Sequence, residues 1–230
     1  VFNILKNDYQ NIIIGAFKSD LKKSKLIYNN VDFTCIGEKK IELINITKMC
    51  NLFKNEKIIY VPINEEITLQ ILKFKKNKNL PSNFTFSLPN LHNYNLSRNK
   101  ILLQNFCLEK NILSPKKINI KDIKKENFKP FIVKPTIGSG SRGIFKFLNF
   151  EHFLQNKHKI KLININNYVL QEYIDNSNIE GAFAYFENGK IINFYSHKRI
   201  RTYPKDGGVT VYSEATYNSE LKKITENICN

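Results

Sequence analysis

Residues 131–148 read FIVKPTIGSGSRGIFKFL, an order that leaves few folds open. Two runs of β-branched and aromatic residues flank a loop with three glycines, two serines and an arginine, and a lysine ends the first run. Glycine inside strand-forming sequence weakens the strand, so three of them must serve a turn or a close approach of the backbone to something else. A phosphate group fits that requirement. Without a Cβ in the way the main chain can approach an anion. Successive N–H groups, the Ser139 and Ser141 hydroxyls, Arg142 and Lys134 can all donate to phosphate oxygens.

The surroundings of the loop decide which kind of phosphate cradle it is. Gly138-Ser139-Gly140-Ser141-Arg142-Gly143 satisfies G-x-G-x-x-G. A dinucleotide site needs such a loop to open a helix, with an acid ending a strand about 20 residues on. Here 144–147 (IFKF) continues as strand, and 163–165 (INI) carries no acid. No Gly-Lys-Ser/Thr follows, which removes the P-loop. The lysine precedes the loop and no HRD or DFG sequence is present, which removes the protein kinases. What remains is a glycine hairpin between two antiparallel strands, with the lysine before it.

Upstream, the pattern is that of a parallel sheet. Residues 11–17 (NIIIGAF) read as a buried strand and 32–36 as a second, after a basic connection containing Lys22, Lys23 and Lys25. Ile41, Ile44, Thr47, Cys50 and Phe53 recur at helical spacing, and 57–62 (KIIYVP) gives another strand; strand, helix, strand implies parallel pairing. Asn64 and Glu65 open a further helix to about Lys75. They stand at a strand's carboxyl end, where ligands bind in open α/β sheets, but an N-cap and a first-turn acid explain them better. Prolines and asparagines over 76–95 predict loops around a short strand at 84–88. Ser97 is expected to cap a helix running to about Lys110, with Lys100 in its first turn. A cation there opposes the helix dipole, and a nearby phosphate would relieve the conflict.

After Pro115 the pattern changes. Strands are predicted at 131–134, 143–148, 168–172, 181–186, 191–197 and 210–215, with helices at 150–155 and from Ser219 to Cys229. Asn188-Gly189 is a two-residue hairpin signal, since both positions of a type I′ turn need positive φ. The expected fold class is therefore α/β plus α+β, a parallel unit followed by an antiparallel one.

At 230 residues and 42% hydrophobic, the chain can bury one large core or two small ones. It contains no apolar run of about 18 residues and no signal-peptide pattern, so a cytoplasmic protein is expected. The formal charge of +16 raises a basic nucleic-acid binder as an alternative, but the lysines are spread along the chain without a recognition motif, as on a solvated surface. Cys35, Cys50, Cys107 and Cys229 are scattered and read as free thiols. The chain opens on Val1 and stops at Asn230 inside a helical pattern, which reads as a fragment at both ends.

The motifs and their order resemble the ATP-grasp superfamily, in particular its carbamoyl-phosphate-synthase-like and carboxylate-amine ligase members. Phe131-Ile132-Val133-Lys134-Pro135 with the 138–143 loop looks like the family's lysine strand and glycine lid. Val169-Leu170-Gln171-Glu172-Tyr173-Ile174 is similar to its adenine-reaching strand end. Glu180-Gly181 falls where many members carry an acid before the next strand, and 198–204 with Gly207-Gly208 looks like a segment of the ligase members. Arg98-Asn99-Lys100 sits where those proteins usually have Asp-Lys, and 113–115 also matches.

The resemblance implies a parallel domain at 1–95 that precedes an incomplete ATP-grasp domain at 96–230. Lys100 and Lys134 would neutralise α- and β-phosphate charge, and Gly138, Ser139, Gly140, Ser141, Arg142 and Gly143 would close over the β- and γ-phosphates. Gln171, Glu172 and the main chain of Tyr173 and Ile174 would bind adenine, and Glu180 the ribose. Arg199 and Arg201 suit a carboxylate or acyl-phosphate substrate or, equally, ion pairs across a sheet. The implied activity is ATP-dependent ligation of a small-molecule carboxylate to an amine through an acyl phosphate. Alternatives are a non-catalytic nucleotide-binding protein on the same fold, which Asn99 in place of aspartate and the missing metal segment keep open, and the nucleic-acid binder. Magnesium is implied, with its ligands expected beyond Asn230, so no metal ligand is assigned and the fragment itself is expected to be inactive. A homodimer is an assembly the resemblance allows.

Overall fold

A computed structural model of the chain describes residues 13–17, 32–37, 42–62, 64–77, 79–161, 164–175, 178–203 and 208–229. It divides into two units, Val1–Tyr94 and Asn95–Asn230. No helix among the described residues is long and apolar enough to cross a membrane.

In the first unit, β1 (Ile13–Phe17) runs parallel to β2 (Asp32–Gly37), and β3 (Ile58–Ile59) runs parallel to β4 (Phe84–Thr85). Helices α1 (Leu43–Leu52) and α2 (Glu65–Lys76) alternate with them. Their apolar positions meet in one cluster of Ile46, Cys50, Ile71 and Phe84. Asn64 caps α2, its side-chain oxygen accepting from the N–H groups of Glu66 (2.8 Å) and Ile67 (3.2 Å). Acids occupy the first turn of α2 and lysines the last, matching the helix dipole at both ends. A structural role therefore accounts for both Asn64 and Glu65.

The second unit holds two antiparallel sheets. One has the order β6-β5-β7, from β5 (Phe131–Pro135), β6 (Phe145–Phe147) and β7 (Tyr168–Glu172). The other has the order β10-β9-β8, from β8 (Glu180–Glu187), β9 (Lys190–Tyr203) and β10 (Val209–Thr216). Asn188 and Gly189 both have positive φ in the β8–β9 turn, as their sequence requires. Helix α5 (Phe150–Lys161) lays Phe153 and Ile160 against Phe131, Val133, Phe147 and Leu170 to make the core. Phe131 and Phe147 stack at 4.9 Å between ring centroids, and Phe153 meets both edge-on. The helix α6 (Ser219–Cys229) follows β10.

Two expectations change. The helix predicted from Ser97 is two helices, α3 (Leu91–Arg98) and α4 (Lys100–Glu109), and Ser97 lies inside the first. Asn99 breaks them, with extended backbone and a side-chain oxygen that accepts from Ile101 and Leu102 N–H. Helix α5 also runs six residues beyond the predicted 155, because its core contact continues to Ile160. Asparagine starts five of the six α-helices among the described residues: Asn64, Asn90, Asn99, Asn149 and Asn218 each accept from a first-turn N–H.

Asn149 caps the helix that closes the second core, accepting from His152 N–H at 2.8 Å. N149A is expected to lower unfolding free energy by about 1 kcal/mol, whereas N149D, which keeps the acceptor, stays within a few tenths of wild type. Urea unfolding followed by circular dichroism separates these outcomes.

Candidate functional site

Strand alternation sends the two halves of FIVKP to different places. Phe131 and Val133 enter the core while Ile132 and Lys134 point from the other face of the sheet. Antiparallel register places Gln171 and Lys146 on either side of Ile132, and Val169 beside Lys134, so Lys134, Lys146 and Gln171 share that face. The Lys146 ammonium lies 5.7 Å from the centroid of the Tyr173 ring.

The glycine loop leaves β5 and returns through β6. Gly138, Gly140, Ser141 and Gly143 all have positive φ, so the segment is a chain of left-handed steps and not a tight two-residue turn. Gly143 is fixed twice over: φ is +71°, and a Cβ there would come within 3.1 Å of Pro135 Cγ. Ser139 and Arg142 are exposed on the loop.

The N-terminus of α4 is fastened to this loop. The Lys100 N–H donates to the Thr136 carbonyl (2.9 Å), and its ammonium donates to the Gly138 carbonyl (3.0 Å). Burial, and after it the charge of Lys100, hold the Lys134 ammonium below its ordinary pKa. Two cations are thus gathered at the foot of a glycine loop, a placement that an anion would relieve. Asn99 serves here as a cap, a function aspartate performs equally well.

The strand expected to meet adenine is partly occupied by the protein itself. The Glu172 carboxylate accepts from Lys116 N–H (2.8 Å), and Tyr173 N–H donates to the Pro130 carbonyl (2.9 Å). Residues 116–118 extend the sheet beyond β7, through Ile118 N–H to Leu170 and Glu172 N–H to Lys116. Gln171 is 4% exposed, and its side-chain oxygen has no partner among the described residues. Ile174 lies exposed just past the strand. Within this set the Gln171 side-chain oxygen is thus a buried acceptor that no described residue satisfies.

The other expected residues lie on the second sheet. Glu180 opens β8, and its carboxylate accepts from the Asn218 amide at 2.7 Å. Arg199 donates to the Gly208 carbonyl, while its Nε is buried without a partner among the described residues. The pairing of β9 with β10 shifts register around Ile200, setting Arg199 opposite Ser213 and Arg201 opposite Tyr212. Ser213 and Tyr212 are consecutive, so their partners face opposite sides of the sheet, and the two arginines do not form one clamp. Arg201 lies instead 6.0 Å from the centroid of the Tyr212 ring.

His197 escaped the sequence reading. Its ring packs against Gly181, where any Cβ would collide with its Cε1. The signal available was a glycine inside a strand with no turn to make. Among the described residues no group of three or more His, Cys, Asp or Glu could hold a metal ion.

No family model matches the sequence, and a search of curated proteins found no match. The backbone does match solved structures. A biotin carboxylase from Campylobacter jejuni, in a β,γ-ATP complex, superimposes with a TM-score of 0.67 at 15% identity, over 99% of this chain and 55% of its own. The biotin carboxylase domain of Hydrogenobacter thermophilus 2-oxoglutarate carboxylase, solved with MgADP, ADP and bicarbonate, gives 0.68 at 15% identity, over 99% and 54%. An L-amino acid ligase from Bacillus licheniformis gives 0.56 at 12% identity, over 96% and 59%. The fold these proteins share is the ATP-grasp fold, and the chain has it. It spans a little over half the length of each.

The depressed pKa of Lys134 predicts a stability effect with a definite sign. Because the folded chain holds that proton less tightly, the ammonium is destabilising at pH values below its folded pKa. The penalty fades as pH rises toward the ordinary value of 10.5. K134M is therefore expected to melt no lower than wild type at neutral pH, with wild type gaining on it as the buffer is made more alkaline. Thermal melts across that range check it, and a K134M chain that melts well below wild type at pH 7 would contradict it.

Proposed function

We propose that this chain binds ATP and contributes to an ATP-dependent ligase that joins a small carboxylic acid to an amine. The observation that carries the reading is the pairing of Lys100 and Lys134 at the glycine loop, where burial and mutual repulsion hold the Lys134 ammonium at a disadvantage. A polyphosphate tail supplies negative charge at this point, and charge-assisted hydrogen bonds to it are the stronger kind. Gln171 and the Ile174 main chain then meet the adenine edge, Glu180 the ribose, and the 138–143 segment covers the terminal phosphates.

In the reaction, a carboxylate oxygen attacks the γ-phosphorus as the bond to the β–γ bridging oxygen breaks. This gives an acyl phosphate and ADP. The amine nitrogen then attacks the acyl carbon, phosphate leaves, and the amine's proton passes to solvent. The protein's part is positioning and charge stabilisation: Lys100 and Lys134 offset charge on the phosphates, and the Arg199 guanidinium holds the acid. A cytoplasmic setting goes with this reading. The fold's non-catalytic alternative drew on Asn99, but that side chain caps α4 as an aspartate would, so it does not favour that alternative.

Calorimetric titration of ATP into the chain tests the first half. Losing one charge-assisted contact, K100A and K134A should each weaken ATP binding at least about tenfold, in line with about 1.5–3 kcal/mol for such a bond. Unchanged affinity in both variants would sink the assignment. In the protein that carries this chain, ADP release should require acid and amine together; ATP binding with no ADP release across a broad panel would count against ligation.

A further inference from the structure

Glu180, the residue assigned to the ribose, does not stand alone at the start of β8. Its Oε2 accepts from the side-chain amide of Asn218 at 2.7 Å, a partner 38 residues away in the chain. The backbone beneath it is held as well: Arg199 N–H donates to the Ile179 carbonyl (2.9 Å), and Glu180 pairs with Lys198 across β9. Glu180 is exposed and Asn218 is half-buried.

Asn218 is itself fixed from below. Its main-chain N–H donates to Ser196 Oγ (2.9 Å), and its side-chain Oδ1 accepts from the Leu221 N–H (3.0 Å), capping α6. Ser196 is fully buried, and its hydroxyl lies 2.9 Å from the Thr216 carbonyl and 3.0 Å from the Thr216 hydroxyl. A serine hydroxyl offers one donor and two acceptor positions. Here the carbonyl takes the donor, and the Asn218 N–H and Thr216 hydroxyl fill the acceptor positions.

These contacts dictate which way the amide points. A backbone N–H only donates, so Oδ1 must face Leu221, and the donating end of the amide is left toward Glu180. The cap asks for an oxygen and nothing more, which serine or aspartate would supply as well. What those residues lack is the second, donating end, and that end meets the carboxylate.

We propose that Asn218 is a positioning residue for nucleotide recognition: by bonding Oε2 it sets the plane of the Glu180 carboxylate and leaves Oε1 to accept from the ribose hydroxyls. An exposed glutamate otherwise samples several rotamers, and ordering it at the moment of binding weakens the contact it makes. The proposal rests on the ATP reading and on the place of Glu180 within it.

Calorimetric titration of ATP and of 2′,3′-dideoxy-ATP, which lacks both hydroxyls, reads this role as a ratio of affinities. Wild type should bind ATP at least about tenfold tighter than the dideoxy nucleotide, as expected of hydrogen bonds to a charged acceptor. N218S keeps a capping oxygen and loses the amide, whereas N218D keeps the cap and turns an acceptor toward the carboxylate. Both should melt within about 2 °C of wild type. Both should lower the ratio about threefold or more, through ATP alone. E180Q/N218D again sets a donor against an acceptor, and it should regain part of what N218D loses. A ratio unchanged in N218S and N218D overturns the proposal, as does a double variant no better than N218D or an ATP loss matched by the dideoxy nucleotide. E180A separates the proposal from the reading beneath it. A ratio that collapses in E180A yet survives N218S and N218D defeats the role of Asn218 alone. Wild type that does not distinguish the nucleotides defeats the assignment of Glu180, and wild type that binds neither defeats the ATP reading, each taking the proposal with it.

Discussion

An ammonium group held partly out of water beside a second ammonium is an arrangement that folding does not favour by itself. In this chain it is built by strong local constraints. Lys134 cannot turn away, because the same alternation that sends Phe131 and Val133 into the core sends it to the opposite face. Lys100 is held as well: its N–H is bonded to Thr136 and its ammonium to Gly138, so the start of α4 is fastened to the glycine loop. The stability needed to hold both cations comes from the stacked phenylalanines on the far side of β5. Core and site are therefore two faces of one strand, and weakening the first would loosen the second.

The charge on the molecule has the same two-sided character. A net +16 spread over the sequence suggests a generic basic surface. In the fold, several of these groups have particular places: Lys146 over Tyr173, Lys75 over Phe86, and Lys73, Lys75 and Lys76 at the carboxyl end of α2. Cations over aromatic faces and at helix ends are ordinary stabilising devices, so total charge says little about a polyanionic partner. Among the described residues Lys134 is different, because there burial works against the charge.

Much of this was legible locally. A glycine-rich loop between two β-forming runs, a lysine ahead of it, and Asn-Gly in a hairpin are short-range signals whose physics is complete within a few residues. Parallel pairing upstream followed from strand and helix order. What the sequence hid was long-range. That Glu172 is drawn to Lys116 and Tyr173 to Pro130 depends on residues 40 to 60 positions away that no periodicity reveals. The asparagines misled for a different reason. Those of 76–95 read as loop signals, yet a side-chain oxygen beside a free helix N–H is a stabilising contact wherever it occurs, so residues such as Asn90 serve as caps.

Glycine shows why motif reading succeeds at one position and fails at another. Gly143 is needed for its backbone, with positive φ in a loop, and a pattern of glycines announces that directly. Gly181 is needed for its missing side chain, because a ring from the neighbouring strand lies where the Cβ would be. The second kind of need depends on strand register, which the sequence specifies only through the whole sheet. Register also separates Arg199 from Arg201: one unmatched residue at Ile200 turns an apparent pair of guanidinium groups to opposite sides. Arg199 keeps the side of His197, two residues back on the same strand, because the register between them is continuous and the irregularity begins only after it.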